Sequence, residues 1–332
     1  MRREIGSEFW DVPVSCKKNN LFPDFTNWFL SGRSALQSII SELEGCHSVA
    51  IPSWCCDSMI KPFLDAGFSV NFYPVYWSRG LIQEVDYNSD VLFLMDYFGY
   101  SSRPPKTEKY QGVIIRDITH SLFSSSFSDA HFYFGSLRKW CGVKTGGFAW
   151  AYDGHQLKAG NEVNPEYVSL RSKAMQLKAD YINQDLDNKS YLGLFAKAEE
   201  LLERIGIAPG LERETELARH LDVNEIIYRR RANAKVLQST LSDWLIFDQM
   251  NDNDCPLFVP ILVPGNKRDL LRKHLIEHDI YCPIHWPISR YHIIDDMATG
   301  IYQNELSLVC DQRYSEEDMY RTVRLIKKYM EE

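Results

Sequence analysis

The sequence predicts an α/β protein built on a mainly parallel sheet. Two runs, Val91–Met95 and 113–115, are continuously apolar, which is typical of strands buried on both faces. A segment with helical spacing, QSIISEL at 37–43, belongs to the same strand-and-helix alternation. Carboxylates follow both strands, Asp96 directly after the first and Asp117 close behind the second. Because open α/β sheets bind ligands at the carboxyl ends of their strands, this edge is the predicted site.

The remaining elements are predicted in chain order from periodicity and from Gly and Pro signals. The first part contains strands at Ser48–Pro52, 69–75 and 131–134, with a helix that opens at 53–58 and ends near Gly67. After Trp150 the strand pattern stops, and a charged helical segment fills 165–205. A long helix is predicted at about 218–243, followed by strands at 256–263, 280–287 and Glu305–Val309 and helices at 267–278 and 316–329.

Composition and charge exclude several classes of protein. The chain has 332 residues, 45% of them hydrophobic, which is enough for a large core and two domains. Its net charge of −8 argues against a nucleic-acid partner held through phosphates. No apolar run reaches the length of a membrane span. The N-terminal stretch MRREIGSEFW lacks the apolar core of a signal peptide, so a cytoplasmic location is predicted.

The cysteines do not indicate a metal site. Eight are present, and none forms a CxxC pair. Cys55 and Cys56 are adjacent, which is a poor arrangement for a tetrahedral zinc site. We therefore expect free, mostly buried thiols in a reducing compartment, and no metal.

The strongest chemical signal lies in three short motifs between 117 and 147. Asp117 is followed by His120, Ser136 by Lys139, and a Gly146-Gly147 pair comes seven and eight residues after the lysine. Pyridoxal phosphate needs a carboxylate at its ring nitrogen, a lysine for its aldehyde, and hydroxyl and backbone N–H donors for its phosphate. Taken singly, each motif has an ordinary explanation: the aspartate as a turn former or helix cap, and the Ser-x-x-Lys as chance.

Together these motifs resemble the DegT-type sugar aminotransferase family of fold type I pyridoxal-phosphate enzymes. The resemblance covers nearly the whole chain, most firmly 29–150 and most weakly 155–225. It implies a large three-layer α/β/α domain with a mainly parallel sheet, predicted at 1–235 with the N-terminal arm, and a small C-terminal α/β domain at 236–332. It also implies a homodimer with shared active sites.

A second candidate for phosphate binding precedes the first helix. Gly32, Arg33 and Ser34 lie where a helix N-terminus offers free N–H donors and the positive end of its dipole. The alternative is an ordinary N-cap made by Ser31 or Ser34. The turn resembles the family's Gly-Thr-x-Ala-Leu pattern, with Arg33 where threonine is common. Whether Arg33 contacts phosphate stays open at this point.

Five residues outside these motifs are further candidates, four of them through the resemblance. In the family an aromatic side chain stacks on the cofactor ring; the spacing from Pro52 places that position at Cys56, whereas the available aromatic residue is Trp54. Asp96 stands near a cofactor-facing position, and His285 belongs to a segment similar to the family's His-Tyr-x-Pro. Arg313 is a candidate for binding a substrate carboxylate, with a structural salt bridge as the alternative.

The resemblance implies an aminotransferase that uses pyridoxal phosphate. Lys139 would hold the cofactor and then act as general base, Asp117 would keep the ring nitrogen protonated, and His120 would orient Asp117 or the ring oxygen. The implied donor is glutamate or glutamine, and the acceptor is a keto-sugar carried on a nucleotide. The alternatives are another activity with this cofactor, such as a lyase or decarboxylase, or a non-catalytic protein with this fold.

Overall fold

The computed structural model describes residues 4–78, 80–85, 88–101, 105–124, 130–293 and 296–331. The strands are β1 (Ile5–Gly6), β2 (Asn27–Phe29), β3 (Ser48–Pro52), β4 (Ser69–Tyr73), β5 (Val75–Trp77), β6 (Leu81–Gln83), β7 (Val91–Met95), β8 (Val113–Asp117), β9 (Phe132–Ser136), β10 (Gly147–Ala151), β11 (Phe258–Leu262), β12 (Ile280–Tyr281) and β13 (Glu305–Val309). The helices are α1 (Gly32–Ile40), α2 (Asp57–Asp65), α3 (Pro165–Asn183), α4 (Tyr191–Leu202), α5 (Glu212–Arg219), α6 (Val223–Thr240), α7 (Arg268–Glu277), α8 (Asp296–Asn304) and α9 (Glu316–Glu331).

The main sheet has seven strands in the order β2-β10-β9-β8-β7-β3-β4. Strands β4, β3, β7 and β8 pair in parallel, whereas β10 pairs antiparallel with β2 and β9. Every residue of β7 is buried, as its unbroken apolar run predicts. The predicted α/β class with a mainly parallel sheet is therefore confirmed.

The described chain divides into two compact units. The first comprises residues 4, 8–44 and 131–223, and the second comprises 5–7, 45–130 and 224–331. The domain boundary predicted between 235 and 236 falls inside α6 and stays a prediction.

The first unit combines α1 and the antiparallel strands with the helical segment α3–α5. Ser31 caps α1, because its side-chain oxygen accepts the Ser34 N–H at 3.2 Å. Helices α3 and α4 pack on each other around Tyr181, Tyr191 and Phe195. The helical pair predicted at 165–205 is thus present.

The second unit contains the parallel strands and the C-terminal α/β layer. In that layer β11 and β13 pair antiparallel, and α7 and α9 pack together beside them. Leu306 and Leu308 of β13 lie in the hydrophobic core of this layer, together with Met319 and Ile326 of α9. No described helix combines the length and apolar character that a membrane span requires.

Three predicted elements are corrected by the structure, two of them because proline lacks a ladder N–H. The strand predicted at 69–75 is divided at Pro74 into β4 and β5, which lie in different sheets. The strand predicted at 280–287 ends at Tyr281, shortly before Pro283. The helix predicted at about 218–243 is α6 alone, and α5 is a separate helix before it.

Candidate active site

Asp117 lies at the carboxyl end of β8 in the second unit, at the edge where the sequence predicts a ligand. It pairs with Met95 in the β7–β8 ladder, so Asp96 follows β7 at the same edge. The Asp117 side chain is buried, and its Oδ1 accepts the backbone N–H of Thr119 at 2.8 Å. An amide N–H donated to a carboxylate favours the ionised form, which is the form that a protonated ring nitrogen requires.

Asp96 is bound through both carboxylate oxygens to side chains of the same unit. Arg116 donates to Oδ1, with Nη2 at 2.7 Å and Nε at 2.9 Å. The Ser121 hydroxyl donates to Oδ2 at 2.5 Å. Asp96 therefore anchors the segment after β8, and its predicted contact with a cofactor stays a prediction.

His120 lies in a cluster of rings beside this edge. The Phe98 backbone N–H donates to its Nδ1 at 3.4 Å. Its ring stacks on Trp286 at a centroid distance of 5.6 Å and meets the His285 ring edge-on at 5.6 Å. Predicted site residues from two distant segments, 117–120 and 285, are thus brought together.

Of the two predicted ring-stacking residues, Trp54 is enclosed and Cys56 is not. Trp54 has no exposed surface, and its ring stacks on Tyr97 at 4.9 Å. Its Nε1 donates to the His285 carbonyl at 2.6 Å. Cys56 is partly exposed and stands at the N-cap position of α2, and its Sγ lies 2.8 Å from the Ser58 hydroxyl. The geometry favours the position of Cys56 for a contact with a ligand.

His285 is held by two residues that the sequence reasoning missed. Its Nδ1 lies 2.8 Å from the Ser307 hydroxyl, and its backbone N–H donates to Glu305 Oε2 at 2.7 Å. Burial raises the pKa of Glu305 to about 8. The one sequence signal was a carboxylate inside a predicted buried strand, where an unpaired acid is rare.

Arg313 forms a salt bridge within the chain. Its Nε and Nη2 donate to Oδ1 and Oδ2 of Asp311 at 2.9 and 2.8 Å, and Nη2 also donates to the Ser7 carbonyl at 3.2 Å. Burial opposes ionisation of Asp311, but the Arg313 guanidinium holds the pKa of that carboxyl below its usual value. Asp311 thus occupies the two N–H groups of Arg313 that could bind a substrate carboxylate. This agrees with the predicted alternative of a structural salt bridge.

In the first unit, the glycine pair brings the N-terminus of α1 against the Ser-x-x-Lys turn. Leu137 donates its N–H to the Gly146 carbonyl at 2.7 Å. A Cβ added to Gly147 would lie 2.1 Å from the Ser31 carbonyl oxygen, and one added to Gly32 would lie 3.4 Å from Ser136 Cβ. At position 147 only glycine permits this approach, whereas a Cβ at position 32 would make an ordinary contact. The predicted phosphate-binding residues Gly32 and Ser136 are therefore neighbours.

Arg33 and Ser34 differ in what they offer to an anion. The Ser34 hydroxyl is buried and donates to the Gly206 carbonyl at 2.9 Å, so its proton is committed to the fold. The Arg33 guanidinium has two buried nitrogens, Nε and Nη1, that have no hydrogen-bond partner among the described residues. Buried hydrogen-bond donors without a partner destabilise a fold. An anionic ligand is therefore the partner that we expect for the Arg33 guanidinium.

Lys139 ends the short 3₁₀ turn after β9 and is exposed. The alternative lysine, Lys144, is largely buried; its Nζ lies 3.8 Å from Glu214, and burial lowers its pKa. Of the two lysines, Lys139 is the one whose amine is accessible to an aldehyde.

A charged cluster from the helical segment adjoins Lys139. Glu199 of α4 is paired with Arg138, and Arg171 of α3 lies 3.8 Å from Glu199 and 3.2 Å from Glu8. Burial opposes ionisation of Glu199, but Arg138, followed by Lys139 and Arg171, lowers the pKa of that carboxyl. Apart from the charged helical pattern of 165–205, no sequence signal predicts this cluster.

Metal chemistry has no candidate among the residues described here, because no group of three His, Cys, Asp or Glu side chains is placed to hold an ion. The eight cysteines are free, and five of them are buried. The prediction of free, mostly buried thiols agrees with this geometry.

The fold is that of sugar aminotransferases of known structure. PseC of Helicobacter pylori, an aminotransferase involved in the biosynthesis of pseudoaminic acid, is 14% identical over 98% of this chain and 100% of its own, with a TM-score of 0.61. DesV of S. venezuelae, solved in complex with a ketimine intermediate, is 14% identical over 96% and 86%, with a TM-score of 0.60. A DegT DnrJ EryC1 StrS aminotransferase from Brucella abortus is 13% identical over 92% and 85%, with a TM-score of 0.56.

Comparisons by sequence find no match for the chain. No protein-family model matches it, and no curated protein matches it in sequence. The structural similarity extends over nearly the full length of this chain and of the three solved structures. It therefore concerns the whole fold rather than one shared motif.

Proposed function

We propose that the protein is a pyridoxal-phosphate-dependent aminotransferase. One observation carries the proposal: an exposed lysine, Lys139, follows a glycine-lined turn at Gly32 and Ser136 in the same unit as two buried, unpartnered nitrogens of Arg33. An anion site and an accessible amine on two neighbouring turns of one unit are what the phosphate and the aldehyde of this cofactor require. The similarity of fold to sugar aminotransferases supports the proposal.

The residues present fit the cofactor, and each is assigned a role by its place in its own unit. Gly32, Ser136 and Arg33 would hold the phosphate. Ser34 would support the turn that carries Gly32 and Arg33, because its backbone N–H is donated to Ser31 and its hydroxyl to Gly206. Lys139 would bind the aldehyde. When bound, the cofactor supplies an electron sink for the carbon that carries the amino group.

In the second unit, the proposed ring-binding residues act on protons and orientation. Asp117, whose Oδ1 accepts the Thr119 N–H, would hold the proton on the ring nitrogen. His120, fixed between Phe98 and Trp286, would orient the ring oxygen. Cys56 or Trp54 would contact the ring face, and Asp96 would support the segment after β8 through Arg116.

Lys139 has two tasks in the proposed mechanism. Its amine would hold the aldehyde of the cofactor. When it is not bound there, the same amine would be the general base that moves the proton at the substrate carbon. The pair of Arg138 and Glu199 fixes the residue directly before Lys139, so the turn presents the amine in a defined direction.

We propose an amino acid, glutamate in the first instance, as donor and a nucleotide-linked keto-sugar as acceptor. The fold similarity to PseC, an aminotransferase involved in pseudoaminic acid biosynthesis, supports the sugar acceptor. The substrate contacts of His285 and Arg313 belong to this proposal, as do the homodimer with shared active sites and the domains 1–235 and 236–332. A cytoplasmic location is supported by the eight free cysteines, which suit a reducing compartment.

The test is the visible absorbance of the purified protein after addition of pyridoxal phosphate, followed by addition of glutamate. We expect the band of the lysine-bound cofactor in the wild type and in Lys144→Ala, the matched control, and its absence in Lys139→Ala. Glutamate should bleach the band as the amino group is transferred to the cofactor.

Two results would contradict the proposal in different ways. A band that persists with glutamate and with every other amino donor would indicate a different reaction of the same cofactor, such as that of a lyase or decarboxylase. No band in the wild type at saturating cofactor would leave a protein that shares only the fold.

A further inference from the structure

A chain of hydrogen bonds connects a buried carboxyl group to the ring of His285 in the second unit. Glu305 Oε1 lies 2.5 Å from the Ser307 hydroxyl, and that hydroxyl lies 2.8 Å from His285 Nδ1. The other carboxyl oxygen, Oε2, accepts the His285 backbone N–H at 2.7 Å. Each oxygen of Glu305 thus has its own fixed partner.

The strand geometry explains why the Glu305–Ser307 end of this chain of bonds is closed to water. Side chains two residues apart lie on the same face of a strand, so Glu305 and Ser307 of β13 point in one direction. Both residues are fully buried. Leu306 and Leu308, which alternate with them, lie in the hydrophobic core of the C-terminal layer. A polar chain in such a place is costly unless every member is bound, and here each member is.

The far end of the chain reaches the ring cluster at the predicted site. The ring of His285 lies 5.2 Å from that of Phe98 and 5.6 Å from that of His120. Its carbonyl oxygen accepts the Trp54 indole N–H at 2.6 Å. His285 is therefore fixed through its backbone, its carbonyl and its Nδ1, and the state of Nε2 depends on what Nδ1 does.

Two hydrogen-bond states satisfy this geometry. With Glu305 ionised, the Ser307 hydroxyl donates to the carboxylate and accepts from His285 Nδ1–H, so Nε2 carries a lone pair. When Nε2 binds a proton, the Nδ1–H bond breaks and that proton passes to Ser307 Oγ, while the hydroxyl proton passes to Glu305. Both hydrogen bonds of the relay are then reversed, one proton has been taken up, and no other reactant is needed.

We propose that Glu305 and Ser307 are positioning residues that set the tautomer of His285, so that a proton taken up at Nε2 is stored on Glu305. The relay goes beyond the proposed function, because its hydrogen bonds exist within the chain alone. The substrate atom to which Nε2 gives that proton, or from which it takes it, rests on the proposed aminotransfer.

The charges around Glu305 place the switch in an accessible pH range. Arg268 is the nearest cation, but its Nη1 donates to the backbone carbonyls of Tyr302 and Glu305 rather than to the carboxyl. Cys282 lies close by; burial raises the pKa of its thiol to about 12, so it stays neutral. Burial raises the pKa of Glu305 to about 8, and the relay therefore changes state at slightly alkaline pH.

The experiment is nitrogen-15 NMR of the full chain with labelled histidine, without cofactor, at about pH 6.5 and about pH 9.5. The His285 signals are assigned by their loss in His285→Asn. We expect Nε2 to carry the proton at the lower pH and Nδ1 to carry it at the higher pH, so that the two nitrogen shifts exchange places.

Two variants test the relay itself. In Glu305→Gln the carbonyl keeps the bond from the His285 backbone and the amide NH₂ faces Ser307, which locks the Nε2–H tautomer at both pH values. Ser307→Ala breaks the relay, so His285 no longer follows Glu305. Ser124→Ala is the control: this buried serine donates to the Gly99 carbonyl and accepts from the Cys255 N–H, and it binds no histidine.

A wild-type tautomer that is the same at both pH values would overturn the proposal, as would a wild-type switch in Ser307→Ala. The second result stays decisive if Glu305→Gln does not fold. Because no step uses pyridoxal phosphate, failure of the relay is distinct from failure of the proposed function, which the absorbance of Lys139 tests.

Discussion

Two buried carboxyl groups lie near the opposite ends of β13, and their protonation differs. Asp311, two residues beyond the strand, is held by both arms of the Arg313 guanidinium, and its pKa lies below the usual value although burial opposes this. Glu305, the first residue of the strand, has hydroxyl and amide donors but no ion pair among the described side chains. Burial raises its pKa to about 8.

The difference shows that the partner, rather than the depth of burial, decides what a buried acid does. Burial disfavours the charged form at both positions. A guanidinium overcomes this penalty, and the resulting ion pair has a structural role. Neutral donors do not overcome it, so Glu305 can exchange a proton near physiological pH. Perturbed groups of this second kind are the ones that cluster at functional sites.

The largest effect is expected from removing the guanidinium. Arg313→Ala leaves the Asp311 carboxyl buried without its counter-charge, and the loss of one partner of a buried pair costs about 3–5 kcal/mol. Urea denaturation at neutral pH would measure the free energy of unfolding. Arg324→Ala is the control, because the ion pair of Arg324 with Glu317 is about two-thirds exposed and should change stability by less than about 0.5 kcal/mol.

A loss of less than about 1 kcal/mol in the unfolding free energy of Arg313→Ala would contradict the contrast between Asp311 and Glu305. It would mean that the guanidinium is not what keeps Asp311 charged. Arg313 would then be available for the substrate carboxylate that its sequence context predicts.

The next effect is a dependence of the unfolding free energy on pH, which comes from the Glu305 carboxyl. Because the pKa of Glu305 is raised on folding, its stabilising contribution is complete below the unfolded value of about 4.3 and is lost as pH rises towards 8. Glu305→Gln does not titrate. The variant should therefore gain stability relative to the wild type between about pH 5 and pH 8, by about 1.4 kcal/mol per pH unit, and no more above that range.

Parallel urea curves at several pH values would give the difference in unfolding free energy between Glu305→Gln and the wild type. A difference that stays constant across this range would show that Glu305 has an ordinary pKa in the folded protein. Glu305 could then not accept the proton that His285 takes up in the proposed relay.

The smallest effect is expected at the half-exposed pair beside Lys139. Glu199 faces two guanidiniums, those of Arg138 and Arg171, but half of its side chain is exposed to water. We expect Glu199→Gln to cost at most about 1 kcal/mol, because solvent screens such pairs. Glu200→Gln on the same helix, whose partner Arg204 is exposed, should have no measurable effect. A loss of several kcal/mol in the unfolding free energy would show that the charge of Glu199, like that of Asp311, stabilises the fold.

Much of the fold could be predicted, because its signals are local. The runs Ser48–Pro52 and Val91–Met95 are strands as predicted, since an unbroken apolar run suits a strand buried on both faces and proline ends the first. The Gly146-Gly147 pair is recognised as part of a motif, and the structure gives its physical reason, because the carbonyl of Ser31 lies where a Cβ at position 147 would be.

The contacts of the candidate site could be predicted only where a motif carries them. Nothing local links His285 to Ser307, 22 residues away, or to Glu305. The ion pair of Arg313 with Asp311 lies within two residues, yet the same two side chains could equally have faced a substrate. Burial decides between these outcomes, and burial of a polar side chain is a property of the packed fold.

The central claim is that Lys139 carries the cofactor. The most direct measurement is borohydride reduction of the wild-type protein incubated with pyridoxal phosphate, followed by peptide mapping with mass spectrometry. We expect the added mass on the peptide that contains Lys139 and none on the peptide that contains Lys144. Added mass on Lys144, or on no single lysine, would contradict the claim.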